Sequence, residues 1–161
     1  FKDIENWDLT NVTTFAQAFY ECNALDANLS RWRTPNATSF TSTFAITSNS
    51  SNNAGRFTGR GGFDDWDVGK VTDFSNMFLN QPLFNPPSML NWSLTGSAAV
   101  NCSFMFQYCS SFEGKGLETW NTSGLNNSIG MFANLPLFVG SGLANWNTIN
   151  LTTATLSLIH I

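Results

Sequence analysis

FDDWDVGKVTDFSNMF, residues 63–78, contains the pattern that decides the fold. An apolar residue lies three before Trp66, another lies five after it, and Phe78 follows seven residues further on. The segment 66–68 alternates apolar and polar residues, as a short strand does. The apolar residues of 71–78 have the spacing of about two turns of an amphipathic helix. The stretch therefore predicts a short strand, a loop and a short helix.

The same frame recurs around all six tryptophans of the chain. Their spacings are 25, 34, 26, 28 and 26 residues, and an apolar residue stands three before each one. The longest spacing reflects an insertion in the second copy, TSNSSNN (47–53), and two extra residues follow the fourth tryptophan. Such a repeat predicts an array, because one unit cannot bury its apolar face without neighbours. The tryptophans, Trp7, Trp32, Trp66, Trp92, Trp120 and Trp146, are expected to form a buried ladder.

Composition limits the partners that the chain could have. Its 161 residues suffice for one domain with a sizeable core, and only 11% of them are charged. A net charge of −4 with seven Lys and Arg argues against nucleic acid and against an anionic membrane. No apolar run reaches the length of a membrane span, so we expect no membrane insertion in this segment.

Three stretches carry a resemblance to a known family: WDLTNVTTFAQAF (7–19), WDVGKVTDFSNMF (66–78) and WNTSGLNNSIGMF (120–132). They resemble the repeat of about 26 residues in the BspA-like leucine-rich-repeat surface proteins, a DUF285-like family. Together, frame and resemblance predict the α/β class, as a right-handed leucine-rich-repeat-like solenoid of about six repeats with short parallel strands and short helices. The resemblance implies a secreted or cell-surface protein, often proposed to act in adhesion or ligand binding, without catalytic residues.

The two ends of the chain predict a fragment of a longer array. Residues 1–155 are expected to form one repeat solenoid, with neighbouring repeats of the same chain at both ends. The last six residues, LSLIHI (156–161), correspond to one reading frame of the mosaic-end adapter used in transposase-based sequencing libraries. We therefore expect 156–161 to be a non-native tail. The alternative is a genuine sixth-repeat helix, since Leu158 falls seven after Leu151.

Nine Asn-x-Ser/Thr sequons make the chain a candidate glycoprotein. Asn11, Asn36 and Asn150 each lie four after a tryptophan, where Asn can bond its own backbone in a turn. The repeat itself therefore generates some of these sequons, and Asn49 in the polar insertion is the strongest candidate for modification. The sequons are at Asn11, Asn28, Asn36, Asn49, Asn91, Asn101, Asn121, Asn126 and Asn150.

Cysteine and histidine usage argues against catalysis and against a metal centre. Cys22 and Cys109 occupy equivalent places three copies apart, too far for a disulfide, and Cys102 occupies an inward place. We expect reduced, partly buried thiols. The only histidine, His160, belongs to the suspected tail. With no metal-ligand spacing and no base for a nucleophile, we predict that the chain is not an enzyme and holds no cofactor.

An acidic cluster in the third copy has two interpretations. Alternation places Asp65 and Asp67 outward, one strand along from Arg31 and Arg33, so charge pairing between neighbouring strands explains them. A calcium site formed with Asp64 is the alternative.

The outward places beside each tryptophan predict a polar binding face. We expect a non-enzymatic extracellular module for adhesion or ligand binding, whose partner is a protein or a glycan at a cell surface. A structural spacer in a surface stalk is the rival, and exposed aromatic side chains would favour binding. The predicted face comprises Asp8, Arg31, Arg33, Asp65, Asp67, Ser93, Asn121 and Asn147.

Overall fold

The structure is a computed structural model that describes residues 3–48, 54–96 and 99–155. Regular elements are few and short in these ranges. Two strands, β1 (Val100–Asn101) and β2 (Leu125–Asn127), pair in parallel as a two-stranded sheet. Single-turn 3₁₀ helices span Ile4–Asn6, Leu117–Thr119 and Ser141–Leu143. Turns and irregular backbone make up most of the rest.

The predicted fold class is wrong. No α-helix occurs in the described ranges, and two short strands in one small sheet do not make an α/β architecture. The right-handed leucine-rich-repeat-like solenoid of about six repeats, with short parallel strands and short helices, is therefore not what these residues form.

Hydrogen bonding explains why the helix expected after each tryptophan does not form. The amide groups of Phe74 and Phe78 donate to the carbonyl oxygens of Asn101 and Met105 in the next copy, at 2.8 and 2.9 Å. The amide of Met77, between them, donates to the carbonyl of Phe74, three residues back, at 3.1 Å. An α-helix would bond every amide to the residue four back. Amides in this segment instead alternate between a local turn and a neighbouring copy.

Left-handed backbone conformations accompany these turns. Asn76 and Asn80 have φ angles of 56° and 57°, whereas an α-helix needs values near −60°. Asn tolerates this conformation better than most residues do. The same conformation recurs at equivalent places in other copies, at Gln17, Glu21, Ser42, Phe104, Tyr108, Gly130 and Asn134.

Single backbone bridges, rather than extended strands, join successive copies. Each bridge is parallel and links a residue to its equivalent about one repeat later. The series runs Thr14–Ser39, Ser39–Asp73, Asp73–Asn101 and Asn127–Thr153, with a separate bridge between Ser93 and Asn121. The polar groups of these short segments are thereby satisfied without a regular sheet.

The six tryptophan rings stack on one another in chain order, as the sequence predicted. Centroid distances are 6.3 Å for Trp7–Trp32, 5.4 Å for Trp32–Trp66, 6.4 Å for Trp66–Trp92, 5.1 Å for Trp92–Trp120 and 5.8 Å for Trp120–Trp146. The middle four rings are buried as predicted, whereas the prediction of burial is wrong for Trp7, which is 53% exposed, and Trp146 is only partly buried. We call this series the tryptophan column. Burial of large aromatic rings in contact is a main source of its stability.

Two further columns are built from phenylalanine. The first contains Phe19, Phe44, Phe78, Phe106 and Phe132, at centroid separations of 5.6, 5.6, 5.7 and 6.0 Å. The second contains Phe57, Phe84, Phe112 and Phe138, at 6.0, 5.8 and 6.0 Å. The apolar places of the sequence frame thus form the core, although the backbone that carries them is not helical.

Gln81 fixes the chain where it returns from the insertion of the second copy. Its side chain is 2% exposed. It donates to the Phe44 carbonyl at 2.6 Å and accepts from the Phe57 amide at 3.1 Å. A Cβ atom on Gly55 would lie 1.9 Å from the Gln81 oxygen, so a larger residue there would displace this amide from its two bonds. Phe57 therefore stacks in the second phenylalanine column despite the insertion that precedes it.

Some sequence predictions fall outside the described residues. The suspected tail 156–161 with its histidine, the sequon at Asn49 and most of the insertion 47–53 belong to this group. No helix in the described residues is long and apolar enough to cross a membrane.

Candidate functional site

The predicted binding face consists largely of side chains that close local turns. In the copies where the residue after tryptophan is Asp or Asn, its side-chain oxygen accepts the amide two residues on. The distances are 3.0 Å for Asp8–Thr10, 3.1 Å for Asp67–Gly69, 3.2 Å for Asn121–Ser123 and 3.1 Å for Asn147–Ile149. Ser93 instead bonds the Thr95 hydroxyl at 3.0 Å. These residues therefore have a structural role in turns.

The pKa of Asp8 reflects this turn. A hydrogen bond from the Thr10 hydroxyl at 2.7 Å, helped by the Thr10 amide, holds the pKa of the Asp8 carboxyl below its ordinary value. A bond to the charged form favours that form. Asp8 therefore stays ionised and remains bound within its own turn.

The expected ion pair between neighbouring copies forms between Arg33 and Asp65. The guanidinium lies 3.0 Å from the carboxylate, and both side chains are more than half exposed. The same guanidinium also donates to the carbonyl of Trp32 at 3.2 Å. Arg31 is exposed and pairs with no acid in the described ranges. Pairing thus uses one of the two arginines of the predicted face.

The three aspartates of the third copy do not converge on one point. Asp64 accepts the Ser88 hydroxyl at 2.6 Å and the Leu90 amide at 2.7 Å. Asp65 faces its arginine, and Asp67 closes its own turn. Within the described ranges, no group of three or more His, Cys, Asp or Glu side chains is arranged to hold a metal ion. The calcium interpretation therefore gains no geometric support.

The sequon asparagines differ in whether their side chains make hydrogen bonds. The amide nitrogens of Asn36, Asn126 and Asn150 donate to backbone carbonyls of a neighbouring copy, at 2.8, 3.0 and 2.6 Å. The expectation that such residues bond their own backbone is therefore wrong for Asn36 and Asn150. Asn11 and Asn91 are exposed, and their side chains bond no residue in the described part of the chain.

The remaining sequon asparagines are intermediate between these groups. The side-chain oxygens of Asn28, Asn101 and Asn121 each accept an amide two residues on, at 3.1, 3.0 and 3.2 Å. Among them, Asn101 also directs its nitrogen toward Asp73 at 3.5 Å. Asn11 and Asn91 therefore rank first among the described sequons, because they combine exposure with a side chain that makes no hydrogen bond in the described ranges.

The three cysteines carry free thiols that differ in exposure. Cys102 and Cys109 are buried, and Cys22 is partly exposed. Burial raises the pKa of Cys109, whose thiol donates to the Phe78 carbonyl at 3.0 Å. Burial also raises the pKa of Cys102, and the nearby Asp73 charge raises it further. Such thiols are poor nucleophiles, because the thiolate is the reactive form.

An open groove of about 630 Å³ lies beside the turn Gly114–Gly116. The exposed apolar side chains of Leu137 and Val139 form part of its wall. Two of its charged groups neutralise each other, because Lys115 lies 2.8 Å from Glu113 and lowers the pKa of that carboxyl. A second carboxylate in the lining, that of Glu118, accepts the Gly116 amide at 3.1 Å.

Two aromatic residues of the fourth copy were missed as candidate site residues. Phe104 and Tyr108 have φ angles of 57° and 63°, a conformation that bulky residues rarely adopt. Phe104 is partly buried, and Tyr108 is 49% exposed. The sequence signal was present, since aligned copies carry polar residues or glycine at both places apart from Ile46. That signal does not by itself indicate a site, because large aromatic residues are mostly buried in proteins.

A recurring frame, joined copy to copy by backbone bridges and aromatic columns, defines a repeat protein. The model of the family described as "Mycoplasma protein of unknown function, DUF285" matches residues 1–57 and 48–158. The chain belongs to this family. No curated protein and no solved structure matches it.

Proposed function

We propose that the chain is a non-enzymatic extracellular or cell-surface repeat module for adhesion or ligand binding. The observation that carries this proposal is that aromatic side chains are exposed to solvent. Tyr20 and Tyr108 are 38% and 49% exposed, and Phe104, four residues before Tyr108, is partly exposed. Tyrosine is enriched at binding surfaces because one end of the ring is apolar and the other is polar.

Repetition supplies the second argument for binding. Polar side chains recur in register on the outside of the turns, since each copy bonds to the next through equivalent backbone groups. Identical or similar surfaces repeated along one molecule increase avidity, even where a single contact is weak. Weak, repeated contacts suit an adhesive role, and the ligand is a glycan or a protein.

A structural spacer in a surface stalk is the second candidate. It is favoured because four residues of the predicted face already make hydrogen bonds within local turns and so have little freedom to bind a ligand. These residues are Asp8, Asp67, Asn121 and Asn147. A spacer does not explain exposed aromatic residues in strained backbone conformations, because nothing in a passive stalk maintains them.

Binding by the full chain, displayed as a tetramer on streptavidin, distinguishes the candidates. The probes are arrays of purified glycans and of extracellular-matrix proteins, read as saturable binding over a range of tetramer concentrations. A binding module gives saturable signals that free monomeric chain displaces. Absence of saturable binding on both arrays would contradict the proposal and favour the spacer.

A further inference from the structure

We infer that Phe104 and Tyr108 form a binding platform for a neutral glycan, an inference that rests on the proposed binding function. Both residues lie four apart in one turn segment and adopt left-handed conformations. Such conformations cost free energy for a bulky side chain and tend to persist at functional sites. The equivalent places in other copies show what the repeat itself requires.

Apart from Ile46, those equivalents are polar residues or glycine, and glycine and asparagine tolerate the conformation best. Asn76 and Gly130 take the place of Phe104 in the adjacent copies, with φ angles of 56° and 58°. Asn80 and Asn134 take the place of Tyr108, at 57° and 61°. The turn therefore needs no aromatic side chain for folding. Packing within the copy does not explain why the fourth copy carries two aromatic residues at these places.

Gly130 holds the ring of Phe104 in a defined place. A Cβ atom on Gly130 would lie 2.5 Å from two carbon atoms of that ring, so the ring lies directly against the glycine backbone. The amide of Phe104 also donates to the Ile129 carbonyl at 2.8 Å. A ring fixed in this way loses little conformational entropy when a ligand binds.

The chemistry around the two rings favours an uncharged ligand. Segments 74–112 and 119–155 contain no Asp, Glu, Lys or Arg. The carboxylate that precedes the first segment, Asp73, accepts the amide of Ser75 at 2.8 Å. Amide side chains occupy the place of Tyr108 in both adjacent copies, at Asn80 and Asn134, and an amide both donates and accepts hydrogen bonds.

A neutral sugar matches this combination better than a protein does. The C–H groups on one face of a pyranose ring pack on an aromatic ring, while its hydroxyls pair with amide groups. The hydroxyl of Tyr108 bonds no residue in the described ranges, so it is available to a sugar hydroxyl. A protein partner would instead be expected to meet a larger apolar centre.

The test is a titration of the full, ¹⁵N-labelled chain with neutral hexasaccharides of β-glucan, chitin, mannan and galactan, and with a heparin hexasaccharide as the charged comparison. Amide chemical shifts give both the site and Kd. The key variant is Tyr108→Asn, which installs the residue of the adjacent copies. It creates an Asn-Cys-Ser sequon, so all proteins are made in a bacterial host that does not glycosylate it.

We expect at least one neutral hexasaccharide to shift amides around residues 104–108, with heparin inactive. Tyr108→Asn should raise Kd at least tenfold while leaving the unfolding midpoint unchanged or higher, and Tyr108→Trp should restore binding. Ile149→Asn, which also replaces an exposed large side chain but lies outside the platform, should leave Kd unchanged.

The inference is overturned if no neutral hexasaccharide shifts these amides at millimolar concentration, or if Tyr108→Asn leaves Kd unchanged. If the arrays show saturable binding that Tyr108→Asn does not weaken, the binding function stands and the glycan platform falls. If neither the arrays nor the titration shows binding, both proposals fall.

Discussion

The indole N–H of Trp66 donates a hydrogen bond of 2.9 Å to the carbonyl oxygen of Leu29, in the preceding copy. Every later tryptophan makes the equivalent bond to the residue three before the previous tryptophan, at 2.6 to 3.0 Å. The tryptophan column is therefore held by both ring contact and a directed hydrogen bond. This explains why the frame uses tryptophan, since phenylalanine would supply only the ring.

Replacing Trp66 should separate these two contributions. Trp66→Ala removes a buried aromatic ring and should lower the free energy of unfolding by about 3–5 kcal/mol. Trp66→Phe keeps a ring but leaves a buried carbonyl without its donor, for a loss of about 1–3 kcal/mol. Denaturant unfolding followed by circular dichroism measures both.

Trp7→Phe is the matched control. The indole of Trp7 bonds no carbonyl in the described ranges and is 53% exposed, so its loss should be less than about 1 kcal/mol. Equal losses at the two tryptophans would contradict the structural role of the bond.

The spacing of Trp66 and Phe78 could predict the core because burial of large rings fixes which residues of a repeat face inward. The backbone between them could not be predicted in the same way. Apolar residues at 71, 74, 77 and 78 suit a helix and also suit successive turns, which bury the same side chains. The decisive factor is that the Phe74 amide bonds Asn101, a residue 27 further along the chain. No local pattern reveals such a distant acceptor.

The candidate site was less predictable than the core. Asp67 and Asn121 were correctly expected to point outward, but their bonds to amides two residues on were not foreseen. Phe104 carried a signal only in comparison with Asn76 and Gly130, since an aromatic residue beside a buried stretch suggests core. Its left-handed conformation could not be read from one sequence, because aromatic residues usually avoid it.

The buried amide of Gln81 should be essential where the insertion rejoins the core. Gln81→Met keeps the volume but removes the partners of the Phe44 carbonyl and the Phe57 amide. Leaving buried polar groups unpaired should lower the free energy of unfolding by about 2–4 kcal/mol. Gln107→Met is the control, since the Gln107 side chain bonds no residue in the described ranges, and it should change stability by less than about 0.5 kcal/mol. Similar losses from the two variants would exclude the bridging role.

The ion pair between Arg33 and Asp65 should contribute little to stability. Both side chains are exposed, so water and salt screen their attraction. A double-mutant cycle with Arg33→Ala and Asp65→Ala should give a coupling energy of about 0–1 kcal/mol that falls as salt increases. A coupling that is larger and independent of salt would show that the pair is shielded from solvent.

Stability should depend on pH through Glu21. Burial raises the pKa of Glu21, but hydrogen bonds from Thr47 and Ser48 lower it by more, so the folded pKa lies below the ordinary 4.5. A depressed carboxyl pKa stabilises the fold above the unfolded value, and that stabilisation is lost as pH falls through the folded pKa. The wild type should therefore lose more stability than Glu21→Gln between about pH 5 and pH 3. The difference should be less than about 1 kcal/mol, measured by denaturant unfolding at each pH. Parallel pH profiles for the two proteins would rule out this contribution.

Thiol reactivity should distinguish Cys22 from the two buried cysteines. Cys102 and Cys109 are fully enclosed, and burial raises the pKa of both thiols, so almost no thiolate is present at pH 8. The native protein, treated with a colorimetric disulfide reagent at that pH, should therefore release one equivalent rapidly, from Cys22. The other two equivalents should appear only at the rate of unfolding, or at once in denaturant. Cys22→Ser should remove the rapid phase and leave the slow phase intact. Rapid release of all three equivalents from the native protein would contradict the complete burial of Cys102 and Cys109.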